Sequence, residues 1–366
     1  MDIAVEAAHR ARRRVAPWPH VGAAVVADGQ LVGSGATGQY PFGPHAEVAA
    51  LAEAGSRSSG ATLYCTLEPC NHHGNTPPCT EAIIEAGIAS VVVAIEDPDP
   101  LVAGKGVTRL RQHGIEVSVG LRGEVVADQL NSYLIHRKLG RSACIAKVAL
   151  SLDGRTAASD GSSRWITGEL ARSNSHELRA DSQAVIVGAG TAIADDPALT
   201  VRDVTGPPLV WPPLRVLLDA RGRVKPNGKL ADTVRAPTLV VVTDLAPKDN
   251  IDAWVDCGAT VETVNFIADD HGSGVDLSAT LELLGSKGVL QAMVEGGSQL
   301  HGAFLQAGLV DRVVAYIGNT LLGARGLAGF GLGGPDTISA SRRLQLKSVL
   351  QLGDDVRLDY SPKGAF

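Results

Sequence analysis

A histidine, a glutamate and two cysteines stand at spacings that suit metal-assisted hydrolysis. His45 and Glu47 are separated by one alanine; Cys70 follows Pro69, and Cys79 follows after eight intervening residues. Imidazole and thiolate are good zinc ligands, and a catalytic zinc keeps three protein ligands with one open position for water. One histidine and two cysteines meet that number.

The expected chemistry follows from these residue types. Zinc lowers the pKa of its bound water toward about 7, so that hydroxide can attack a ring carbon bearing an amino group. Glu47 would take the water proton and pass it to the ring nitrogen and the leaving amine. The pattern is typical of zinc-dependent base deaminases. Two other interpretations stay open: a structural zinc site with His72 or His73 as fourth ligand, and an inert buried cysteine pair.

Alternating strands and helices are predicted to position these side chains. Asp28-Gly29 predicts a hairpin turn within residues 20–33. The remaining predicted elements are helices over 45–54, 79–87, 105–113 and 123–141 and strands over 61–66, 90–95 and 115–120. His45 and Glu47 would then begin one helix, and Cys79 would begin another, where the helix dipole favours its thiolate. An α/β sheet with helices on both faces is expected.

A second set of residues suggests a nucleotide site. Residues 294–304 (VEGGSQLHGAF) predict a strand, a glycine turn and a helix start. Backbone N–H groups at such a junction bind phosphate, and Gly296 and Gly297 allow close approach. Glu295 would lie at the carboxyl end of its strand, where open α/β sheets bind ligands. An ordinary strand–helix turn remains the alternative.

A glycine pattern nearer the C-terminus is interpreted differently. Gly329, Gly331 and Gly334 spell G-x-G-x-x-G, with Asp354 twenty residues on. The preceding predicted strand, 311–317, ends more than ten residues earlier, whereas a dinucleotide fingerprint joins a strand directly to a helix. A glycine-rich loop is predicted here.

Length and composition bound the architecture. The chain has 366 residues, enough for two domains, and we place the boundary at residue 142, giving domains 1–142 and 143–366. The second half restarts the α/β pattern, with strands predicted near 144–154, 183–190, 214–222, 238–244, 291–297 and 311–317, a helix over 168–180, and a loop over 203–213.

Charge and cysteine usage exclude several classes of protein. The net charge of −6 argues against a nucleic-acid partner, and no apolar run is long enough for a membrane span. The five cysteines are an odd number, and no signal-peptide pattern is present, which favours a cytoplasmic protein without a disulfide framework. Cys65, Cys144 and Cys257 are expected to be small buried hydrophobic residues.

Two segments around the cysteines carry a specific resemblance. Residues 66–79 (TLEPCNHHGNTPPC) and 97–106 (DPDPLVAGKG) closely resemble the bifunctional riboflavin-biosynthesis deaminase/reductase family, and the likeness runs through essentially the whole chain. The resemblance implies a cytidine-deaminase-like α/β/α sandwich followed by a dihydrofolate-reductase-like α/β domain. It implies one zinc on His45, Cys70 and Cys79, with Glu47 as proton shuttle. The implied substrate is 2,5-diamino-6-(5-phosphoribosylamino)pyrimidin-4-one, which loses its 2-amino group.

The C-terminal resemblance implies an NADPH-dependent reduction of the ribosyl group to ribityl. It rests on residues 147–167, 190–202 and 294–304. The implied NADPH contacts are Ala149, Trp165, Thr191, Asp195, Gly297, Ser298, Gln299, Leu300, His301, Gly302 and Ala303. The implied substrate contacts are Ser163, Arg179, Leu199, Arg202 and Glu295. A homo-oligomer, a dimer or tetramer, is also implied.

Several of these residues keep an alternative interpretation. Arg179 and Arg202 suit a ribose phosphate, because guanidinium matches phosphate in a bidentate way, but structural salt bridges would also explain them. Trp165 is either a cofactor contact or a core residue. Lys105 either contacts phosphate or is a solvated helix-start lysine. Asp195 and Glu295 are the candidate proton donors of the reductase.

Two departures from the family pattern motivate an alternative function. Trp18 stands where the family usually has asparagine, and Asn75 stands where it often has arginine or lysine. Trp18 is then either a stacking platform or a core aromatic residue. The alternative is a reductase with a weakened deaminase domain, and a less favoured one is a deaminase acting on nucleic-acid bases.

Overall fold

The computed structural model describes residues 1–73, 77–268, 274–331, 333–334 and 336–363. The chain divides into two compact units. Unit 1 comprises residues 1–140 together with 207–211, and unit 2 comprises residues 141–206 and 212–366. Both units alternate strands with helices, as predicted.

Unit 1 is built on a five-stranded sheet with the order β2-β1-β3-β4-β5. Its strands are β1 (Gly22–Ala27), β2 (Gln30–Ala36), β3 (Thr62–Leu67), β4 (Ser90–Ile95) and β5 (Glu116–Val119). β1 pairs antiparallel with β2 and β3, whereas β3, β4 and β5 run parallel. Its helices are α1 (Asp2–Ala11), α2 (Ala46–Ala54), α3 (Cys79–Glu85), α4 (Lys105–Gln112), α5 (Gly123–Gln129) and α6 (Asn131–Leu139).

The predicted hairpin is confirmed. Asp28 and Gly29 join β1 to β2, and both have positive φ, 50° and 74°. Two consecutive residues with positive φ form the turn whose twist matches paired strands, and glycine accepts that conformation without steric cost.

Glycines let helices approach both faces of the unit 1 sheet. A Cβ on Gly22 would meet the Ala4 carbonyl oxygen of α1 at 1.9 Å, and one on Gly35 would meet the Ala46 carbonyl oxygen of α2 at 2.4 Å. Gly22 pairs with the residue after Gly35, and successive side chains alternate between faces. α1 and α2 therefore cover opposite faces, which confirms the layered arrangement expected.

One predicted helix was wrong. Residues 123–141 form two helices, α5 and α6, and not one. Leu130 separates them with φ −96° and ψ 10°, and its side chain is buried. The break lets α6 take its own direction and turn Tyr133 and Ile135 into the core.

Unit 2 contains a nine-stranded sheet with the order β11-β10-β9-β8-β12-β6-β13-β16-β15. These strands are β6 (Ala143–Leu150), β8 (Ala184–Gly188), β9 (Leu214–Leu218), β10 (Thr238–Val242), β11 (Thr260–Thr263), β12 (Gln291–Val294), β13 (Arg312–Ile317), β15 (Leu344–Leu352) and β16 (Asp355–Pro362). A separate pair joins β7 (Arg155–Ala157) to β14 (Leu327–Ala328). All pairings in the large sheet are parallel except β13–β16 and β15–β16.

The helices of unit 2 are α7 (Glu169–Ala180), α8 (Ala189–Asp195), α9 (Lys248–Asp256), α10 (Leu277–Ser286) and α11 (Ser298–Gln306). The centre of the sheet is buried on both faces, because successive residues of β6 belong to different hydrophobic clusters. Cys144 and Ala146 pack in one cluster, and Ile145 packs in the other. The strands are apolar runs for that reason.

Among the described residues, no helix combines the length and the apolar character needed to cross a bilayer. All five cysteines are free; Cys65 and Cys144 are fully buried as predicted, and Cys257 is only partly buried.

Candidate active sites

The three metal-binding side chains predicted from the sequence meet in unit 1. Potential ligand atoms of His45, Cys70 and Cys79 all lie within 4.8 Å of one another. His45 precedes α2, Cys70 follows β3, and Cys79 is the first residue of α3. His45 Nδ1 lies 3.1 Å from Cys79 Sγ and 3.6 Å from Cys70 Sγ, so this nitrogen faces both sulfurs.

The donor set fits zinc in number and type. Two thiolates and one imidazole leave one position of a tetrahedral ion open. His72 and His73 do not join the cluster in the described part of the chain, so the structural site with a fourth histidine ligand gains no support.

The thiols of Cys70 and Cys79 differ in acidity. Hydrogen bonds from the Cys79 thiol and from His45 lower the pKa of Cys70 to about 4, although burial opposes this. The hydrogen bond with Cys70, burial and the Glu47 carboxyl together raise the pKa of Cys79. Between the two thiols the first proton therefore leaves Cys70, whereas the helix dipole alone had favoured Cys79.

Glu47 lies on the first turn of α2 and is buried. Burial raises the pKa of its carboxyl to about 7, and the neighbouring Cys70 thiolate adds to the effect. A carboxyl group with a pKa near neutrality can accept and release a proton at physiological pH, which is what general acid/base catalysis requires.

A cavity of about 380 Å³ opens beside these residues, lined by His45, Glu47 and Cys70 among others. Trp18 lines it at one side, with its ring centroid 6.0 Å from that of His45 and 5.0 Å from that of Tyr40. Trp18 is partly exposed and lines the cavity, which favours its interpretation as a stacking platform over that as a core aromatic residue.

The sequence interpretation missed six further polar residues that line this cavity: Thr37, Glu68, Asp97, Asp99, Tyr133 and Arg137. Glu68 accepts backbone N–H bonds from Asp97, Gly104, Gly106 and Val107, which fix the segment between β4 and α4. The family resemblance of residues 97–106 (DPDPLVAGKG) drew attention to this loop. That Glu68 would bind it was not predictable from the spacing of residues in the sequence.

Asp97 and Tyr133 are joined inside the cavity wall. The Tyr133 hydroxyl lies 3.1 and 3.0 Å from the two carboxyl oxygens of Asp97. Burial raises the pKa of Asp97 to about 6. The Asp97 carboxyl therefore changes its protonation state near pH 6.

Lys105, singled out by the sequence as a possible phosphate contact, is not among the residues that line this cavity. The Lys105 ammonium group donates to the Pro100 and Leu101 carbonyls, at 2.9 and 3.3 Å, and is exposed. This supports its interpretation as a helix-start lysine. Asn75 lies outside the described residues.

The predicted nucleotide site of unit 2 lies at two adjacent strand ends. β8 and β12 are parallel neighbours, and α8 and α11 follow them almost directly. The Gly297 amide donates to Thr191 Oγ1 at 3.0 Å, which joins the two junctions. β12 inserts between β8 and β6, so the order in which successive strands join the sheet reverses here, although all three strands are parallel. Such switch points are where α/β sheets bind ligands.

Accessibility differs within the predicted cofactor turn. Gly297 and Gln299 are exposed and Ser298 is half-buried. The remaining four residues of the turn are buried: Leu300, His301, Gly302 and Ala303. The His301 ring faces the Val294 carbonyl at 3.2 Å, and burial lowers its pKa to about 4. The first turn of α11 is thus the part of this segment open to a ligand.

The other residues predicted to contact NADPH surround this edge with different exposure. Ala149 lies near the end of β6 and is half-buried; Asp195 ends α8 and is exposed. The Trp165 side chain is 68% exposed, which rules out the core interpretation. Its ring stacks with the Arg172 guanidinium, 4.4 Å from the ring centroid.

The predicted substrate residues include a buried ion pair. Arg179 Nη2 lies 2.6 Å from Glu295 Oε2, and Lys147 Nζ lies 3.6 Å from Glu295 Oε1. Burial opposes ionisation of Glu295, but Arg179 and Lys147 outweigh it and lower the pKa of the carboxyl to about 2. Lys147 was not singled out from the sequence, although it begins the KVALSLDG block.

His176 connects the two predicted phosphate ligands. Its Nδ1 faces Arg179 Nη1 at 3.3 Å, and its Nε2 faces Arg202 Nη2 at 3.4 Å. Burial and the two guanidinium groups lower the pKa of His176 to about 4, so the ring is neutral. A neutral imidazole has one acceptor nitrogen, so it accepts from one of the two guanidinium groups. Arg202 is exposed, Leu199 is buried and Ser163 is half-buried.

The G-x-G-x-x-G segment does not join a strand to a helix. Gly329 and Gly331 lie in a loop after β14, and the Gly331 amide donates to the Ser298 carbonyl at 2.8 Å. A Cβ on Gly302 would meet the Gly331 carbonyl oxygen at 2.4 Å, so the loop packs directly on α11. The predicted glycine-rich loop is confirmed.

Comparisons with known proteins cover both units. A family model described as the RibD C-terminal domain matches residues 143–358. A model described as the cytidine and deoxycytidylate deaminase zinc-binding region matches residues 1–95.

Whole-length relatives carry the same likeness. The chain is 39% identical over 368 residues to the riboflavin biosynthesis protein RibD of Bacillus amyloliquefaciens, covering 99% of this chain and 95% of the relative. It is 40% identical over 372 residues to RibD of Escherichia coli, covering 98% and 97%.

Solved structures agree with the sequence relatives. RibD of Acinetobacter baumannii superposes with a TM-score of 0.87 at 38% identity, covering 99% of this chain and 97% of that one. A diaminohydroxyphosphoribosylaminopyrimidine deaminase/5-amino-6-(5-phosphoribosylamino)uracil reductase of Thermotoga maritima gives a TM-score of 0.84 at 32% identity, with the same coverage.

Proposed function

The chain belongs to the RibD family of riboflavin-biosynthesis proteins, and on that premise we propose which residues perform its two reactions. Unit 1 hydrolyses the 2-amino group of 2,5-diamino-6-(5-phosphoribosylamino)pyrimidin-4-one and releases ammonia. Unit 2 then reduces the ribosyl group of the deaminated product to ribityl with NADPH. The chain is both a hydrolase and an oxidoreductase.

The deaminase half uses His45, Cys70 and Cys79 to hold zinc. The convergence of one imidazole nitrogen and two sulfurs within 4.8 Å supports this assignment. Zinc, when bound, supplies a water molecule of lowered pKa and a Lewis acid next to the reacting carbon. The protein must then move protons between that water, the ring and the departing amine.

Glu47 performs these proton transfers. Its carboxylate accepts a proton from the attacking water, and the carboxyl then donates it to the ring nitrogen. A second proton from the added hydroxyl passes through the same group to the amine, which leaves as ammonia while the ring carbonyl forms. Its burial beside the metal ligands, on the first turn of α2, supports a role for the carboxyl in both transfers.

The reductase half binds NADPH where β8 and β12 end. The exposed start of α11 offers backbone N–H groups at Ser298 and Gln299. Gly297 precedes them and its amide donates to Thr191 Oγ1 in the neighbouring helix α8, which ends at Asp195. A helix N-terminus favours phosphate. NADPH, when bound, supplies the hydride for C1 of the sugar. We place Ala149 and Trp165 beside the cofactor. The buried part of the turn, Leu300 to Ala303, holds the exposed N–H groups in position.

The phosphorylated sugar is held by cations on the same edge. Arg202 is exposed beside His176 and is free to approach a phosphate, with Ser163 and Leu199 shaping the site. Glu295 is ionised, so it accepts hydrogen bonds from sugar hydroxyls and does not supply a proton. The neighbouring hydrogen-bond donor is the Lys147 amino group, 3.6 Å from Glu295 Oε1.

The cellular setting and assembly follow from the same premises. We propose that the domains meet at residue 142 and that the protein works in the cytoplasm, which its five free cysteines favour. We also propose a homo-oligomer, dimer or tetramer. The edge strand β15 supports this, since Leu346, Val349 and Leu350 expose apolar side chains along it.

The zinc-ligand cluster with buried Glu47 beside it carries this proposal. The test is conversion of the diaminopyrimidine substrate by purified, zinc-loaded protein, followed by mass spectrometry. Without NADPH the deaminated ribosyl product should accumulate, and with NADPH the ribityl product should replace it. Reduction of the deaminated substrate without any deamination would instead support a reductase with a weakened deaminase domain.

A further inference from the structure

We propose that Arg137 binds the substrate phosphate in the deaminase cavity and so determines the specificity of that site for a phosphorylated substrate. This inference rests on the proposed function, because it takes the diaminopyrimidine nucleotide as the ligand. It concerns unit 1 alone and is independent of the cations in unit 2.

The charges around the cavity create the need for such a residue. Four carboxyl side chains line it: Glu47, Glu68, Asp97 and Asp99. Arg137 is the one lysine or arginine among the described lining residues. The undescribed residues near Cys70 are Gly74, Asn75 and Thr76, which carry no charge. Arg137 is therefore the permanently charged cation among the described lining residues that can pair with a phosphate in this cavity, although His72 also lines it.

Helix α6 directs Arg137 to the cavity. Tyr133 and Arg137 are four residues apart, so they lie on the same face of the helix. The Arg137 guanidinium lies 5.1 Å from the centroid of the Tyr133 ring. Tyr133 is in turn held by its hydroxyl on Asp97, so the aromatic ring provides a fixed support for the guanidinium.

Arg137 is only weakly engaged by the protein. Its one ion-pair partner among the described residues is Asp99, at 3.4 Å from Nε to Oδ2. Nε is buried and has no hydrogen-bond partner in that part of the chain. Asp99 is itself shared, since its other oxygen accepts from the Leu101 amide at 3.0 Å. A guanidinium offers five N–H donors, so most of them remain for a ligand.

Phosphate is a better partner for this group than the single carboxylate. A phosphate monoester presents three acceptor oxygens and close to two negative charges, and the guanidinium fork matches it bidentately. The Arg137 side chain is 30% exposed, so a ligand in the cavity can reach it. Asp99 then orients the Nε edge while the remaining N–H groups face the phosphate.

The test compares deamination of the phosphorylated diaminopyrimidine with that of its dephosphorylated riboside by the full-length, zinc-loaded protein. Arg137→Ala should lower kcat/KM for the phosphorylated substrate about 10-fold to 100-fold, the range for loss of a charge-assisted hydrogen bond, chiefly through KM. The riboside should be deaminated equally well by both proteins. Arg137→Lys should restore part of the loss. Inorganic phosphate should inhibit the wild type competitively and the alanine variant only weakly.

The control is Arg10→Ala, which removes one exposed positive charge from the same unit and should change neither substrate's kinetics. Zinc content and NADPH oxidation with the deaminated substrate show whether each variant is folded. If Arg137→Ala misfolds, the kinetics of Arg137→Lys and phosphate inhibition of the wild type still test whether Arg137 binds the phosphate. Equal losses on both substrates, or no loss on either, would overturn the role of Arg137. A wild type that deaminates neither substrate would instead overturn the proposed function.

Discussion

The Arg179 guanidinium lies 2.6 Å from the Glu295 carboxylate, and both side chains are nearly withdrawn from solvent. Removing one partner of a buried pair leaves the other charge uncompensated, which costs about 3–5 kcal/mol. Lys147 is too distant, at 3.6 Å, to replace the hydrogen bond. Arg179→Ala should therefore lower the stability of unit 2 strongly, as measured by its denaturant midpoint. An unchanged midpoint would show that the pair is not structural.

Arg202 is expected to behave differently although it lies beside the same histidine. It is exposed, and its contacts to His176 and Thr200 are long, at 3.4 and 3.2 Å. Arg202→Ala should leave the stability within about 0.5 kcal/mol of wild type. It should raise the reductase KM for the phosphorylated sugar while the KM for NADPH stays constant. A KM for the sugar equal to that of wild type would make Arg202 a surface residue without a binding role.

Burial of Asp97 predicts an unusual pH dependence of stability. Its carboxyl has a pKa of about 6 against a usual value of 3.8. Because the folded pKa is raised, folding favours the protonated form, and ionisation of Asp97 costs stability above pH 6. That cost disappears as the pH falls from 6 toward 3.8. Its upper limit is about 3 kcal/mol, at 1.36 kcal/mol per pKa unit.

Replacing the carboxyl by an amide tests this sign. Asp97→Asn should unfold at a higher temperature than wild type at pH 8, and the difference should shrink at pH 5. Asp128→Asn, on the exposed face of α5, is the matched control and should show no such trend. A destabilising effect of Asp97→Asn at pH 8 would contradict the burial argument.

The exposed edge of β15 predicts where subunits associate. Val349 is 60% exposed on β15, the nine-residue strand at the edge of the large sheet. Val349→Lys should shift the protein from oligomer to monomer in light scattering, because it replaces an exposed apolar side chain, which association would bury, with a charged one. Gln345→Lys, on the same strand, adds the same charge without removing an apolar side chain and serves as control. A wild-type protein that is already monomeric would refute the proposed association.

Local signals in the sequence were sufficient for several parts of the structure. The Asp28-Gly29 turn was predictable because its backbone conformation is a property of two residues. The metal ligands were predictable because their chemistry restricts their type, number and spacing. The loop at Gly329 and Gly331 was predictable because the predicted strand over 311–317 ends more than ten residues earlier; the two-residue strand β14, which precedes Gly329, was not predicted.

Features that depend on distant contacts were not predictable. The break at Leu130 divides a continuous helical pattern, and it depends on what the buried leucine packs against. The hairpin of β15 and β16 escaped notice because a bulge between Leu346 and Ser348 interrupts the alternation of polar and apolar residues. The pairing of Arg179 with Glu295 joins residues 116 positions apart, which no spacing rule connects.

The polar residues of the unit 1 cavity, Asp97, Tyr133 and Arg137, were not predictable for the same reason. Asp97 follows β4 and Tyr133 lies in α6, and the fold brings them together. Neither residue carried a signal by itself. Arg137 was overlooked because a basic residue near the end of a helix ordinarily interacts with solvent and with the helix dipole. Its direction toward the cavity is a property of the fold.

The most direct test of the account is ammonia release from the diaminopyrimidine nucleotide by zinc-loaded protein without NADPH, measured for wild type and Glu47→Gln. The account predicts rapid release by the wild type and a loss of at least about 100-fold in the variant, the contribution of a positioned general acid/base. The variant should retain its zinc and its reductase activity. Deamination by Glu47→Gln at the wild-type rate would contradict the role of this carboxyl in proton transfer, and with it the mechanism derived for unit 1.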